Sequence, residues 1–157
     1  PVRVRWPNDL WIGEKKVGGI LTEMSADMDQ VNYVVLGAGI NVNMAKDALP
    51  GDLREIATSL FLEAGRTFSR VALFRGLLEG LESDYATFCK HGFIPFRERW
   101  TALSMTIGRP VRVSMPHREI HGFALEIGEQ GYLRIQREDG AIEEVVSGDV
   151  TVMEKSR

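Results

Sequence analysis

The 157-residue chain has one cysteine, Cys89, and so cannot form an internal disulfide. A lone thiol suits a reducing compartment, and the cytoplasm is the expected location. No apolar run approaches the ~20 residues a membrane-spanning helix needs, so no membrane partner is expected. There is no basic excess either. The 19 Lys and Arg against 22 Asp and Glu leave a formal charge of −3, whereas general nucleic-acid binders are basic, so nucleic acid is not an expected partner of this chain. The first residues, Pro-Val-Arg-Val-Arg-Trp-Pro-Asn-Asp-Leu, lack the apolar stretch of a secretion signal. They enter an alternating strand pattern at once, without an initial Met, and the chain reads as a fragment. What is present is ordinary for a globular protein: 44% hydrophobic and 26% charged residues, in a length that suits one domain or one and a half small ones.

Val2 to Arg5 alternate as a strand does, and Trp6-Pro7-Asn8-Asp9 interrupts them with turn-forming residues. Leu10-Trp11-Ile12 makes a short strand, Gly13-Glu14-Lys15 a hairpin turn, and Lys16 to Ser25 a returning strand. Residues 26–30 read as a polar loop. Val31 to Leu36 are apolar and β-rich, which predicts a central strand buried on both faces. Residues 45–55, with Pro50-Gly51, read as a loop, and Ala57-Thr58-Ser59-Leu60 leads into a short helix ending near Gly65. Ser69 is placed to cap a long helix whose apolar face is Ala72, Leu73, Leu77, Leu81, Tyr85 and Phe88, closed by His91-Gly92. Cys89 is expected at its core or boundary side, and Gly76-x-x-x-Gly80 at a close helix contact. A further helix covers roughly 94–103, with Arg97, Glu98 and Arg99 as a solvated face. From Thr106 on, five short strands (111–115, 120–127, 133–137, 142–146 and 150–152) are separated by turn signals and predict a small barrel. His117 and His121 lie on this strand-turn pattern and read as surface histidines, since no cysteine or third histidine completes a zinc set there. Trp11 and Trp100 read as core or boundary aromatics.

Three segments carry the chemistry. They are Arg5-Trp6-Pro7-Asn8-Asp9, then Lys16-Val17-Gly18-Gly19-Ile20-Leu21 with Glu23 beyond it, then Gly37-Ala38-Gly39-Ile40-Asn41-Val42-Asn43. Glycines inside apolar strands cost stability, so Gly18, Gly19, Gly37 and Gly39 mark a place where something approaches the backbone closely. Lys16 begins the glycine-bearing strand and can aim an ammonium into the same space. Asn8 and Asn41 carry amides whose two donors and one acceptor suit the mixed edge of an adenine. Asp9 is a hard oxygen ligand fit to help hold Mg²⁺ on a triphosphate. Singly, each signal is weak and more often structural than functional; order and spacing make the set specific.

That ordered set resembles the Lys-Trp-Pro-Asn-Asp, Lys-x-x-Gly-Ile-Leu and Gly-x-Gly-Ile-Asn motifs of biotin–protein ligases, and Ala57 to Leu60 and the terminal barrel fit the same family. The resemblance implies an α/β (α+β) partial ligase catalytic domain over 1–105, with a mixed sheet and helices, and a small all-β SH3-like barrel over 106–157. It implies an ATP-dependent reaction that joins biotin to AMP and then transfers biotin to a lysine of a carboxylase carrier domain, the biotin carboxyl carrier protein. ATP and biotin are then substrates, with Mg²⁺ alongside. By position, Lys16 matches the lysine near the biotin carboxylate and activated phosphate and is the expected catalytic residue. Gly19, Leu21 and Gly37 match residues that wall biotin, Asn8 and Asn41 match the adenylate side, and Asp9 a position linked to metal or nucleotide. A homodimer is common in the family.

The match departs at Arg5, where the family carries lysine, and in the absence from these 157 residues of the glycine- and arginine-rich loop and of the polar groups that bind the biotin ring. The chain alone is therefore expected to be inactive. Lipoate–protein ligase chemistry and a non-catalytic interaction module are the competing functions.

Overall fold

The computed structural model describes residues 1–28 and 30–153. The described chain forms two compact units, one of Pro1–Arg3 and Asn8–Arg70, the other of Val4–Pro7 and the residues from Val71 onward.

The first unit is built on a four-stranded sheet in the order β1 (Val2–Arg5), β2 (Asp9–Ile12), β3 (Lys15–Asp27), β4 (Gln30–Ile40). The β2–β3 hairpin turns at Gly13, whose φ of 56° lies in the left-handed region that glycine enters without a steric cost. β3 and β4 are antiparallel and far longer than their apolar cores, because Ala26 and Asp27 pair with Val31 and Gln30. The predicted loop over 26–30 thus shrinks to the tip of the hairpin; Asp29 lies outside the described residues. After β4 come two 3₁₀ turns, Lys46–Ala48 and Gly51–Leu53, and the short helix α1 (Leu60–Ala64). Ser59 caps α1: its hydroxyl accepts from Leu62 N at 3.1 Å and donates to Met44 O at 2.6 Å, so a fully buried polar group has both roles filled. Gly65 ends the helix in the left-handed region, at φ 66°.

β4 departs from expectation. It is the last strand of its sheet, not a central one, and Val31, Tyr33, Val34, Val35 and Leu36 are 47–61% exposed. Its composition is that of a strand covered on both faces, but no described residue covers it. The same holds in the second unit for α2 (Arg70–His91). None of its 22 residues is buried; of the expected core face only Leu73 is half-buried. Cys89 is exposed, not at a core boundary. Gly76 and Gly80 have nothing within 4 Å of where a Cβ would stand, so they make no close helix contact. Helical spacing reports which residues share a face and not whether another layer meets it.

The second unit takes its stability from five antiparallel strands: β5 (Pro110–Met115), β6 (Arg118–Ile127), β7 (Leu133–Arg137), β8 (Ile142–Val145) and β9 (Asp149–Val152), ordered β8-β7-β6-β5-β9. All five match the sequence expectation to within a few residues. Alternation places Val111 and Val113, Leu133 and Ile135 inward, and Ile120, Ala124, Ile127, Val145 and Val150 complete one core. Trp6 belongs to that core at 4% exposure. Its backbone N–H donates to Thr106 Oγ1 at 3.1 Å and its indole Nε1 to Gly131 O at 3.3 Å, so the motif's tryptophan anchors a chain turn instead of facing a ligand. α3 (Ile94–Leu103) packs Trp100 against the same core, and Phe93, just before the helix, joins it. Arg97 is not on a solvated face: it pairs with Glu126 of β6, which Arg134 also reaches at 2.5 Å. Exposed His121 lies 2.6 Å from Glu119, and that bond, ahead of one from Ser114, holds the Glu119 carboxyl below its usual range. A lowered carboxylate pKa contributes stability above the ordinary glutamate value and loses it as pH falls through the folded value.

Gly122 of β6 is fixed by close approach. A Cβ there would run into Gln136 O and stand 2.6 Å from Ile135 Cγ2. Gly122→Ala is expected to destabilise this unit by about 1–3 kcal/mol, the usual cost of overpacking, seen as a lower urea midpoint with an unchanged slope. No helix among the described residues is long and apolar enough to cross a membrane.

Candidate functional site

All the residues singled out by the motifs, apart from Arg5, Trp6 and Pro7, lie in the first unit, and most converge where β2, β3 and β4 run side by side. Asp9 pairs with Gly19, and Gly19 with Gly39, so three strands bring one carboxylate and two glycines into line. Leu21 stands opposite Gly37. Gly18 cannot carry a side chain, since a Cβ would lie 2.5 Å from Gly39 O. Gly19 is different: a Cβ there would be 3.3 Å from Asp9 Oδ1 and 3.5 Å from Lys16 Nζ. Gly18 therefore serves the sheet, and Gly19 leaves room for the charged pair above it.

That pair is the electrostatic centre of the site. Lys16 Nζ lies 2.5 Å from Asp9 Oδ1, with the side chains 45% and 25% exposed. An ion pair this exposed adds about 0–1 kcal/mol to stability, so its worth lies in where it holds the ammonium. Two depressions meet at Lys16. One, of about 510 Å³, is lined by Asn8, Asp9, Lys16, Gly19, Ile20, Leu21 and Gly37 to Gly39. The other, of about 630 Å³, is lined by Lys16, Gly18, Gly19, Gly39, Ile40, Asn41, Leu53, Ile56 and Ala57. Lys16, Gly19 and Gly39 border both.

Asn8 lines the first depression together with Gly19, Leu21 and Gly37, while Asn41 lines the second. Both amides already hold backbone: Asn8 Nδ2 donates to Ile20 O at 2.5 Å and Asn41 Nδ2 to Thr58 O at 3.0 Å. Glu23 lies further along β3, opposite Val35, and lines neither depression. The residues do not make a metal centre. No group of three His, Cys, Asp or Glu side chains converges among the described residues, and Asp9 is engaged by Lys16.

Leu53, Ile56 and Ala57 were not legible as lining residues. The segment that holds two of them crosses beside Lys16 as a lone parallel bridge, Lys16 with Ala57, too short to leave a strand pattern. The one available signal was Thr58-Ser59, two polar residues that turn out to be 2% and 0% exposed.

Residues 1–41 match the Biotin/lipoate A/B protein ligase family and residues 106–153 the Biotin protein ligase C terminal domain. The chain is 37% identical over 147 residues to the bifunctional ligase/repressor BirA of Bacillus spizizenii, covering 94% of this chain and 45% of that protein. It is similar to the apo structure of the biotin protein ligase from Aquifex aeolicus, with a TM-score of 0.85 and 27% identity over 98% of this chain and 66% of that one. The same enzyme in complex with biotin and ATP gives a TM-score of 0.81 at 26% identity, covering 99% and 63%. The chain spans about half the length of the curated relatives it matches.

Proposed function

Because the chain belongs to the biotin protein ligase family, we propose that its two depressions take the two parts of an acyl-adenylate, with Lys16 at the join. The observation that carries this reading is that one lysine, Lys16, lines both depressions. A reaction that couples a carboxylate to a phosphate needs a cation at that junction.

In the first step a carboxylate oxygen of biotin attacks the α-phosphorus of ATP. The P–O bond to the β-phosphate breaks, and biotinyl-5′-AMP and pyrophosphate result. In the second, the neutral amine of a carrier-domain lysine attacks the acyl carbon, the C–O bond to AMP breaks, and an amide forms. Gly19, Leu21 and Gly37 wall the biotin side. Asn41 borders the nucleotide side, and Asn8 ties β2 to Ile20 beneath the first depression. Asp9 orients Lys16. Mg²⁺ enters as part of the substrate, magnesium-ATP, in keeping with the lack of a group of three His, Cys, Asp or Glu side chains among the described residues. Residues 1–105 then form part of the catalytic domain and 106–157 a terminal barrel, a division supported by the family match that begins at 106. The substrate carrier is a carboxylase domain, and the cytoplasm is the compartment that goes with it.

The test is to supply the protein that carries this chain with α-labelled ATP and either biotin or lipoate. Biotin-dependent formation of labelled adenylate, followed by transfer to a carrier lysine, is the expected result. Adenylation of lipoate in preference to biotin, or of neither, overturns the proposal.

A further inference from the structure

The segment that leads from β4 to α1 is pinned at both ends. At its start the Ser59 hydroxyl holds Met44 O at 2.6 Å. At its far end Lys16 N donates to Ile56 O at 2.9 Å, and Thr58 N donates to Lys16 O at 2.8 Å, so Ile56 to Thr58 lie along β3. Between these anchors run the two 3₁₀ turns, Lys46–Ala48 and Gly51–Leu53, joined by Leu49 and Pro50. Each turn closes on a backbone bond, Ala48 N to Ala45 O at 3.1 Å and Leu53 N to Pro50 O at 3.0 Å. Neither has a side-chain cap at its start. Turns this short have poor hydrogen-bond geometry and need support from outside themselves.

Arg54 gives that support. Its Nε donates to Leu49 O at 3.1 Å and its Nη2 to Asp47 O at 3.2 Å. Both carbonyls lie at the C-terminal end of the first turn, where helical carbonyls lack partners and a cationic side chain suits them. Leu49 is buried, although residues 45–48 and 50–55 around it are exposed. The carbonyl of Arg54 accepts in turn from Lys15 Nζ at 3.4 Å, at the start of β3. Arg54 therefore fastens the first turn to the end of the second and the second to β3. Leu53 stands just before it and Ile56 two residues after it, and both line the second depression. From these bonds we propose that Arg54 is a positioning residue for the nucleotide side of the site. Its planar fork straps residues 47–49 in place, and so holds Leu53 and Ile56 where they wall the second depression. This rests on the reading of that depression as the place of the nucleotide, and it assigns the guanidinium to the protein's own backbone instead of to a phosphate.

In the protein that carries this chain, Arg54→Ala is expected to raise KM for ATP in adenylate formation by about tenfold, the effect of leaving the competent loop only a tenth populated. At saturating ATP kcat should be kept, and KM for biotin should change little. A general loss of fold would do the reverse, lowering the apparent kcat with KM for ATP intact. Arg54→Lys returns the charge without the fork that reaches two carbonyls, so it should behave as Arg54→Ala does. An unchanged KM for ATP in Arg54→Ala overturns the proposal. So does full recovery by Arg54→Lys, which makes Arg54 a point charge for the phosphates. Amide hydrogen exchange provides a readout independent of activity. Arg54→Ala should speed exchange at Ala48 and Leu53 and leave the β3–β4 ladder around Thr22 and Leu36 protected. Unchanged exchange at Ala48 and Leu53 refutes the strap even if the wild type proves inactive, and an inactive wild type with the expected exchange refutes only the ligase reading.

Discussion

Replacing Lys16 by alanine, in the protein that carries this chain, is expected to lower the rate of the proposed biotinyl-adenylate formation by about a thousandfold. A carboxylate that attacks a phosphate brings two negative groups to about 4 Å. At an effective dielectric near 20 they repel by roughly 4 kcal/mol, and each ~1.36 kcal/mol is a factor of ten in rate. Lys16, proposed to offset this repulsion, lines both depressions, with its Nζ 2.5 Å from Asp9 Oδ1 and its main chain bonded to Ile56 and Thr58. Stability gives the control. The Lys16–Asp9 pair is partly exposed on both sides and is worth about 1 kcal/mol at most, so the variant keeps its urea midpoint within that margin. Loss of rate with fold intact is therefore the signature, read by pyrophosphate release and denaturation on the same preparation. Lys16→Arg should recover only part of the rate: the charge returns, but a planar fork cannot stand where a compact ammonium fits beside Gly19. A near-normal rate for Lys16→Ala would remove Lys16 from the chemistry.

The motif residues were legible because each carries a local signature. Gly18 and Gly19 interrupt an apolar strand, and Lys16 and Asp9 flank it at a spacing that a hairpin brings together, as the Asp9–Gly19 register shows. The terminal strands were legible for the same kind of reason: Val111 and Val113, Leu133 and Ile135 alternate, and Gly131, Gly140 and Gly148 punctuate them. What failed was any inference about which layer lies on which. Val31 to Leu36 have the composition of a buried strand and lie on an exposed edge; Leu77, Leu81 and Phe88 have the spacing of a core face and meet solvent. The support of Lys16 by Ile56 and Thr58 was equally hidden, since it runs through backbone atoms some 40 positions away, and backbone bonds leave no mark on residue type.

Those bare faces lead to the second large effect. The 157 residues by themselves are expected to bind a hydrophobic dye and to associate as concentration rises, and to form no measurable biotinyl-AMP. Val31, Tyr33, Val34, Val35 and Leu36 on β4, and separately Val71, Phe74, Leu78, Tyr85 and Phe88 on α2, are each about half exposed or more, beyond the scattered apolar residues of an ordinary monomer surface. Solvation at the site follows the same pattern. Leu21, a wall of the first depression, is 63% exposed, and Gly37 to Gly39 are exposed beside it. Water there keeps the local dielectric high, and at a dielectric of 80 instead of 20 the help an ammonium gives at about 4 Å falls from roughly 4 to roughly 1 kcal/mol. Two orders of magnitude in rate disappear with that change alone, before any loss of biotin affinity. Sedimentation velocity and dye fluorescence on the isolated chain measure the first expectation, and single-turnover adenylation measures the second. A monomeric, dye-silent chain would mean that the apolar faces are covered within these 157 residues. Turnover would mean that Lys16, Asp9 and the glycines exclude enough water on their own.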